Sequence, residues 1–185
     1  MTTTSTTASS APPALHVERI DYDDPRAVAL RDAMGVEMNE RYGDPLERQE
    51  PVEITRAREA ALAIDPAHVH ASVLVVDDAG QAFGHAVLHD RRGEWEVKRV
   101  IVDGSQRGRG VGRLLMEALE DIAREGGAHR LVLQTGDRQP DAVALYEKIG
   151  YTRIPVYEPY VTTIPQSLCY EKPIDGSAAT GLTVA

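Results

Sequence analysis

The spacing of apolar residues predicts one strand and two helices in the first part of the chain. Residues 15–20 alternate nearly in phase between apolar and polar, as a half-buried strand does. Asp24 followed by Pro25 is typical of a helix start, and that helix should run to about Tyr42. A second helical stretch is predicted over residues 52–63, although alanines make up most of its apolar face.

The middle of the chain has the pattern of three consecutive strands. Two apolar runs, residues 72–76 and 81–88, flank the turn sequence at 78–80 and together predict a hairpin. A third strand is predicted over residues 94–102. Its alternation breaks around Lys98-Arg99, where one extra residue would make a β-bulge.

The remaining segments complete a mixed α/β pattern. Apolar residues recur on one face from Val111 to Ile122, and charged residues fill the other face, which predicts a helix that Gly126-Gly127 ends. We therefore expect a single domain of the α/β class.

Both ends of the chain lack the apolar residues that a core needs. Residues 1–14 are almost entirely Thr, Ser, Ala and Pro, and residues 174–185 are similar in composition. Such segments bury too little apolar surface to offset the entropy lost on ordering. We expect one folded domain over residues 15–173 between two disordered tails.

The stretch Arg107-Gly108-Arg109-Gly110-Val111-Gly112 lies between a predicted strand and a predicted helix, and it is the main candidate for a binding site. Its alternating glycines permit positive φ values, so that several backbone N–H groups can converge on one point. The helix start adds the positive end of its dipole, and three arginines, the last being Arg113, add full charges. We expect this turn to bind a phosphate or pyrophosphate.

The residues of this turn do not fit the other common glycine-rich motifs. A dinucleotide fingerprint requires a third glycine where Leu115 stands, and the Lys-Ser/Thr pair of a P-loop is absent. Two Arg-Gly repeats between a strand and a helix are unlike a disordered nucleic-acid-binding segment. A tight loop that binds nothing stays open as an alternative on these residues alone.

Composition narrows the set of partners. With 20 Lys and Arg against 29 Asp and Glu, the net charge of −9 opposes general attraction to nucleic acid or to an anionic membrane. The single cysteine, Cys169, excludes an internal disulfide, and neither a signal-peptide core nor an apolar run of membrane-spanning length is present. His68 and His70 lack companions at metal-ligand spacing. We expect a cytoplasmic protein with no metal and with no nucleic-acid or membrane partner.

The turn matches the R/Q-x-x-G-x-G/A signature of the GNAT-type N-acetyltransferases, and the chain resembles that family from about Leu15 to Lys172. A second motif, the sequence DAVALYEKIGY at residues 141–151, is similar to the A-x-x-L-Y-x-x-x-G-F/Y helix of the family. The resemblance implies a GNAT-like α/β (α+β) fold, with a mixed central sheet of about six to seven strands flanked by about four helices. It places further strands at residues 129–134, 151–154 and 167–171 and a further helix at 141–149. The central parallel strands, here 94–102 and 129–134, would splay apart. The pantetheine arm of acetyl-CoA would then lie in the gap.

The resemblance also implies which residues hold acetyl-CoA, the acetyl donor. The turn would hold the pyrophosphate, and the strand before it would meet the pantetheine arm. An asparagine commonly precedes the second helix in the family, whereas this sequence has Gln139 there, followed by Pro140. The expected coenzyme-binding residues are Val100, Ile101, Val102, Arg107, Gly108, Arg109, Gly110, Val111, Gly112, Arg113 and Gln139.

Moving an acetyl group from a thioester to an amine requires a base, stabilisation of an oxyanion and an acid for the departing thiolate. The resemblance implies Tyr146 as the acid and Glu96 as the base, with Glu94 as the alternative base. Backbone N–H groups near Val100 and Ile101 would stabilise the oxyanion. On the residues alone, both glutamates could instead be solvent-facing strand charges, and Tyr146 could be only a core residue.

The function expected from the resemblance is transfer of an acetyl group to a primary amine of a small molecule. The acidic total charge would draw a cation, and the connection carrying Tyr157, Pro159 and Tyr160 should hang over the site with rings that stack on it. A protein lysine or N-terminal acetyltransferase, and a non-catalytic module that senses acyl-CoA, are the alternatives. The sequence leaves open whether the chain forms a homodimer.

Overall fold

The computed structural model describes residues 14–43 and 51–174, which form a central sheet with helices on both faces. Two short 3-10 turns, Pro66–His68 and Gly104–Gln106, precede the second strand and the third helix. The strands and helices in chain order are β1 (Leu15–Ile20), α1 (Pro25–Tyr42), α2 (Val52–Leu62), β2 (Val69–Asp77), β3 (Ala82–Arg91), β4 (Glu94–Val102), α3 (Val111–Glu125), β5 (Arg130–Thr135), α4 (Pro140–Lys148), β6 (Thr152–Ile154), α5 (Tyr160–Thr163) and β7 (Leu168–Pro173).

The seven strands of the described ranges form one mixed sheet in the order β1-β2-β3-β4-β5-β7-β6. β4 and β5 are parallel, and every other neighbouring pair is antiparallel. The predicted mixed α/β fold is therefore confirmed. The described ranges contain five α-helices, and the one that the sequence pattern did not predict is α5, a single turn of four residues.

Local signals in the sequence set the ends of the long helices. The Asp24 carboxylate accepts a hydrogen bond from the Arg26 backbone N–H at 2.8 Å and so caps α1. Gly43, with φ of 76°, ends that helix. Among the helices of the described residues, none is both long enough and apolar enough to cross a membrane.

The two faces of the sheet pack against different helices. Val73 of β2 faces the main core beneath α3, whereas its neighbour Leu74 faces the core beneath α1. β2 is thus apolar on both faces, which explains its continuous apolar run. A third cluster joins the end of α2 to α5 through Ala61, Tyr160 and Ile164. This last cluster lies over the part of the sheet where the candidate site is found.

Ile174, the first residue of the expected C-terminal tail, is part of the packed structure. Ile174 is 4% exposed and packs in the main core, and its N–H donates to the His129 carbonyl at 2.8 Å. Residues 1–13 and 175–185 of the predicted tails lie outside the described residues.

Candidate active site

β4 and β5 separate partway along their length. Their parallel register ends where Val97 lies opposite Leu133, although β4 continues to Val102 and β5 to Thr135. Beyond that point the facing edges of the two strands do not pair with each other. Backbone N–H and C=O groups on such edges need other hydrogen-bond partners. The splayed central strands implied by the resemblance are present.

A β-bulge lies in β4 where the alternation was predicted to break. Arg99 has φ of 56°, and the pairing with β3 shifts its register between His85 and Val87. As a result, Val97 and Val100 pack against the same core although they are three positions apart. The bulge changes the direction of the end of β4, and it does so where β5 diverges from it.

The glycine-rich turn leads from the end of β4 into the N-terminus of α3. Gly108 and Gly110 have φ values of 80° and 85°, a left-handed conformation that favours glycine. No side chain caps α3 at Gly110, and the first N–H groups of a helix have no partner within it. A Cβ on either glycine would meet no described atom within 4 Å, so the space beside the turn is open. These features suit an anion at the helix start.

Gly112 has a different role, because it allows two helices to approach closely. A Cβ at this position would lie 2.9 Å from Leu145 Cδ2 in α4. That separation is shorter than real side chains tolerate, so a larger residue would force the Leu145 side chain to shift. Gly112 and Leu145 both line the cavity that these two helices share with the split strands.

This cavity has a volume of about 490 Å³ and is bounded by α1, the end of β4, the turn and α4. Arg109 is absent from its lining, and the Arg109 guanidinium instead hydrogen-bonds Gln106 Oε1. The other expected coenzyme-binding residues all line it: Val100, Ile101, Val102, Arg107, Gly108, Gly110, Val111, Gly112, Arg113 and Gln139.

Charged residues of α1 also line the cavity, and the sequence analysis did not identify them. Arg107 Nη2 donates to both carboxylate oxygens of Glu37, at 2.7 and 2.8 Å, and Arg41 Nη2 donates to Oε1 at 2.6 Å. The hydrogen bond from Arg107, supported by that from Arg41, lowers the pKa of the Glu37 carboxyl. A carboxylate therefore engages the first arginine of the turn.

Tyr146 of α4 lines the same cavity from the side of the main core. It is 5% exposed, and the ring centroids of Tyr151 and Tyr170 lie 6.0 and 6.1 Å from its own. The ring is thus part of the core and of the cavity wall at once. Burial raises the pKa of the Tyr146 phenol, so it stays protonated at neutral pH. It can donate a hydrogen bond or a proton there.

Glu96 lies on the opposite face of β4 from Val97, and it does not line the cavity. It is 1% exposed, so the interpretation as a solvent-facing charge is wrong for this residue. Its Oε1 accepts hydrogen bonds from Tyr157 Oη at 2.9 Å and from Tyr160 Oη at 2.8 Å. Lys98 Nζ and Arg91 Nε lie 3.8 and 3.9 Å from Oε2, which has no hydrogen-bond partner among the described residues.

Lys98 connects this cluster to the end of α2. Its Nζ donates to the carbonyl oxygens of Ala61 and Ala63 at 3.3 and 3.4 Å, and to Tyr160 Oη at 3.1 Å. Burial lowers the pKa of the Lys98 amine, and the nearby Glu96 opposes this change. A cation at a helix C-terminus is favourable, so Lys98 holds the end of α2 beside Glu96.

The connection between β6 and β7 covers this face, but its rings are not arranged as expected. Arg91 Cζ already lies 5.2 Å from the ring centroid of Tyr157 and 5.3 Å from that of Tyr160. Tyr160 is 1% exposed. The expectation that Tyr160 stacks on an incoming cation is therefore wrong, because its hydroxyl is anchored to the buried Glu96 and its ring is covered.

The alternative base, Glu94, sits in a different setting. It is exposed, and its carboxylate accepts from Arg130 Nη2 at 2.9 Å, while Arg130 Nη1 donates to Glu171 at 2.7 Å. The interpretation as a solvent-facing strand charge holds for Glu94. Within residues 14–43 and 51–174, no group of three or more His, Cys, Asp or Glu side chains is arranged to hold a metal ion.

Comparison with known proteins gives the same family by sequence. A family model described as Acetyltransferase (GNAT) family matches residues 32–151. A protein of Azospirillum brasilense named IAA acetyltransferase is 40% identical over 103 residues, which cover 55% of this chain and 67% of that protein.

Solved structures share the fold. A Klebsiella pneumoniae protein described as an acyl-CoA N-acyltransferase matches with a TM-score of 0.67 and 28% identity, covering 86% of this chain and 97% of the other. A Bacillus anthracis protein described as a streptothricin acetyltransferase, solved in complex with acetyl coenzyme A, is similar in fold, with a TM-score of 0.50 and 20% identity over 57% and 62% of the two chains. With its split parallel strands and its uncapped glycine turn, the chain therefore belongs to the GNAT family of acetyltransferases, enzymes that take the acetyl group from acetyl-CoA.

Proposed function

We propose that this protein moves the acetyl group of acetyl-CoA directly to a primary amine of a small molecule. The position of Tyr146 carries the proposal, because this phenol lines the same cavity as Val100 to Val102 and the uncapped turn. One cavity thus contains an anion site, a strand edge and a protonated acid. A module that only senses the coenzyme would have no use for the acid.

The residues of the cavity fit the coenzyme. Acetyl-CoA supplies an activated thioester, and its pyrophosphate carries the negative charge that an uncapped helix start attracts. The open space beside Gly108 and Gly110 leaves room for it, and Arg107 and Arg113 add positive charge. We assign Gln139 and the backbone at the end of β4 to the pantetheine arm.

The remaining roles follow from what the transfer requires. Negative charge develops on the acetyl oxygen, and we assign its stabilisation to the N–H groups near Val100 and Ile101, just beyond the bulge. Tyr146 donates a proton to the departing sulfur. Glu96 is the final acceptor of the proton that the amine loses, since it is the carboxylate held on β4 next to the split.

A small acceptor is favoured over an extended peptide by the packing over Glu96. The α5 segment packs there against the end of α2, which leaves less space for an extended chain on that side of the sheet. The net charge of −9 attracts any cationic amine, whether small or part of a peptide. We propose the cytoplasm as the compartment, since a buried free thiol such as Cys169 is ordinary in a reducing environment.

We expect turnover with free primary amines and little or none with peptides. A panel of amino-acid derivatives, polyamines, aminoglycoside antibiotics, lysine peptides and peptides with free N-termini, assayed by release of the coenzyme thiol, tests this. Calorimetric binding of acetyl-CoA is measured in parallel. Turnover of peptides alone would contradict the acceptor class, whereas intact binding without any turnover would identify a sensing module.

We expect Glu37→Gln to tighten the binding of acetyl-CoA by about 2- to 5-fold. The Glu37 carboxylate holds the guanidinium of Arg107, which the pyrophosphate needs, and an exposed ion pair of this kind contributes about 0.2–1 kcal/mol. Glu40→Gln is the matched control, because it removes the same charge from an exposed position of the same helix. Weaker binding in the Glu37 variant alone would mean that Glu37 orients Arg107 for the coenzyme and does not compete with it.

A further inference from the structure

We propose that Tyr157 relays the proton of the acceptor amine to Glu96, so that a phenol, and not the carboxylate, meets the substrate. This inference rests on the proposed function, in which Glu96 is the final proton acceptor. Because the fold buries Glu96, the acceptor amine has to pass its proton to this base through another group.

The contacts of Glu96 leave little room for a substrate. The carboxylate is 1% exposed, and Tyr157 Oη and Tyr160 Oη both donate to its Oε1, at 2.9 and 2.8 Å. Each phenol oxygen keeps lone pairs with which it can accept a further hydrogen bond. A proton therefore reaches Oε1 most directly through one of these two hydroxyls.

Burial and contacts favour Tyr157 over Tyr160. Tyr160 is fully buried, and its hydroxyl oxygen already accepts a hydrogen bond from Lys98 Nζ at 3.1 Å. Tyr157 is only partly buried, and its hydroxyl donates to Glu96. Tyr157 is thus the phenol that can face both Glu96 and an incoming amine.

Distance along β4 also calls for an intermediate group. The bulge at Arg99, beside which the proposed oxyanion donors lie, is three residues beyond Glu96. At about 3.3 Å per residue this separation is roughly 10 Å along the strand. A buried carboxylate does not reach an amine at that distance, so a group between them has to carry the proton.

The proposed step balances its protons. The acceptor arrives as an ammonium, and one of its protons passes to Tyr157 Oη as the Tyr157 hydroxyl proton passes to Glu96 Oε1, which frees the nitrogen lone pair. The nitrogen then forms its bond to the acetyl carbon while the carbon–sulfur bond breaks. The sulfur takes the proton of Tyr146, and the second surplus proton on nitrogen leaves to solvent as the amide forms. Tyr157 is neutral before and after the step, and solvent then takes the proton from Glu96 and returns one to Tyr146.

The groups around Glu96 suit this arrangement. The nearby cations stabilise the carboxylate, and burial raises the pKa of the phenols and of the Cys169 thiol, which keeps them neutral. Burial also lowers the pKa of His89, so it is neutral as well. The groups facing Glu96 are Arg91 and His89 of β3, Lys98 of β4, Tyr157 and Tyr160 of the covering connection, and Cys169 of β7.

Tyr157→Phe and Tyr160→Phe form a matched pair, because each removes one hydroxyl from the same carboxylate oxygen. We expect Tyr157→Phe to lower kcat by about 10- to 50-fold at neutral pH. Tyr160→Phe should change kcat by less than about threefold while lowering the unfolding midpoint, because a buried hydrogen bond to Lys98 is lost. Calorimetric affinity for acetyl-CoA should be unchanged in both variants.

The pH dependence separates a relay from structural damage. The rates of Tyr157→Phe and of the unaltered protein should converge as the pH approaches the pKa of the acceptor amine, because a free amine needs no base to release its lone pair. Structural damage to the active site would instead lower the rate by the same factor at every pH. A rate ratio between Tyr157→Phe and the unaltered protein that does not change with pH would overturn the relay.

A double-mutant cycle with Glu96→Gln completes the test. If Tyr157 acts through Glu96, the substitution Tyr157→Phe should cost nothing further in the Glu96→Gln background. Additive losses, or a Tyr157→Phe variant as fast as the unaltered protein beside a slow Glu96→Gln, would overturn the relay alone. A Glu96→Gln variant of full activity at all pH values would instead remove Glu96 from the proposed function.

Discussion

Gly110→Asp should lower the affinity for acetyl-CoA by about 10³-fold or more, which would abolish binding under assay conditions. The residue is the uncapped start of α3, with φ of 85°, and no described atom lies within 4 Å of a Cβ placed on it. The new carboxylate would therefore occupy the space proposed for the pyrophosphate. A like charge about 4 Å away costs about 4 kcal/mol at the effective dielectric of a protein surface.

Two control variants separate charge from backbone strain. Gly110→Asn has nearly the same shape without the charge, and asparagine tolerates the left-handed conformation, so we expect its affinity to fall by less than about 10-fold. Gly80→Asp places the same side chain at a positive φ of 79° in the turn between β2 and β3, away from the cavity, and should bind normally.

Titration calorimetry with acetyl-CoA measures the affinities of the three variants and of the unaltered protein, and so separates the two effects. Equal affinities of Gly110→Asp and the unaltered protein would remove the turn as the coenzyme site, and the proposed function would fall with it. Equal losses in the aspartate and asparagine variants would show that conformation, and not charge, is decisive at this position.

Much of the fold could be predicted because its signals are local. The apolar residues on one face of α3 and the alternation of apolar and polar residues in β4 indicate the bounds of the two elements. Each element establishes its period with its own residues alone. The bulge at Arg99 was visible for the same reason. α5 was missed because a single turn of four residues is too short to establish a period.

The candidate site could be predicted only where its parts are adjacent in sequence. The spacing of its glycines identifies the turn, whereas the ion pair of Glu37 with Arg107 joins residues 70 positions apart. Glu37 and Arg41 are four positions apart on α1, a spacing that an ordinary solvated helix pair also has, and no periodic signal connects them to the turn.

The setting of Glu96 was hidden for a related reason. A carboxylate two residues from Glu94 on one strand has the pattern of an exposed row, and only one of the two is exposed. What buries Glu96 is the pairing of its oxygen with two phenols more than 60 positions away. Buried charges depend on such distant partners, so alternation alone misassigns them.

Tyr146→Phe should lower kcat by about 10² or more while leaving the fold and the affinity for acetyl-CoA unchanged. The phenylalanine ring keeps the packing against Tyr151 and Tyr170, since only the hydroxyl is removed. The lost hydroxyl is the one that we assign to protonation of the departing sulfur. Burial raises the pKa of this phenol, so the acid form is present throughout the neutral range and the loss should not depend on pH there.

Tyr151→Phe is the matched control for this prediction. Its ring centroid lies 6.0 Å from that of Tyr146 and it is also buried, but it does not line the cavity. The control should therefore keep its kcat. Any decrease in its free energy of unfolding measures the stability that is lost when a hydroxyl is removed from this core. Thiol release at saturating substrates, with calorimetric binding in parallel, compares the two variants. Equal kcat values for Tyr146→Phe and the unaltered protein would leave the sulfur to be protonated by solvent, because the cavity wall would then act only in binding.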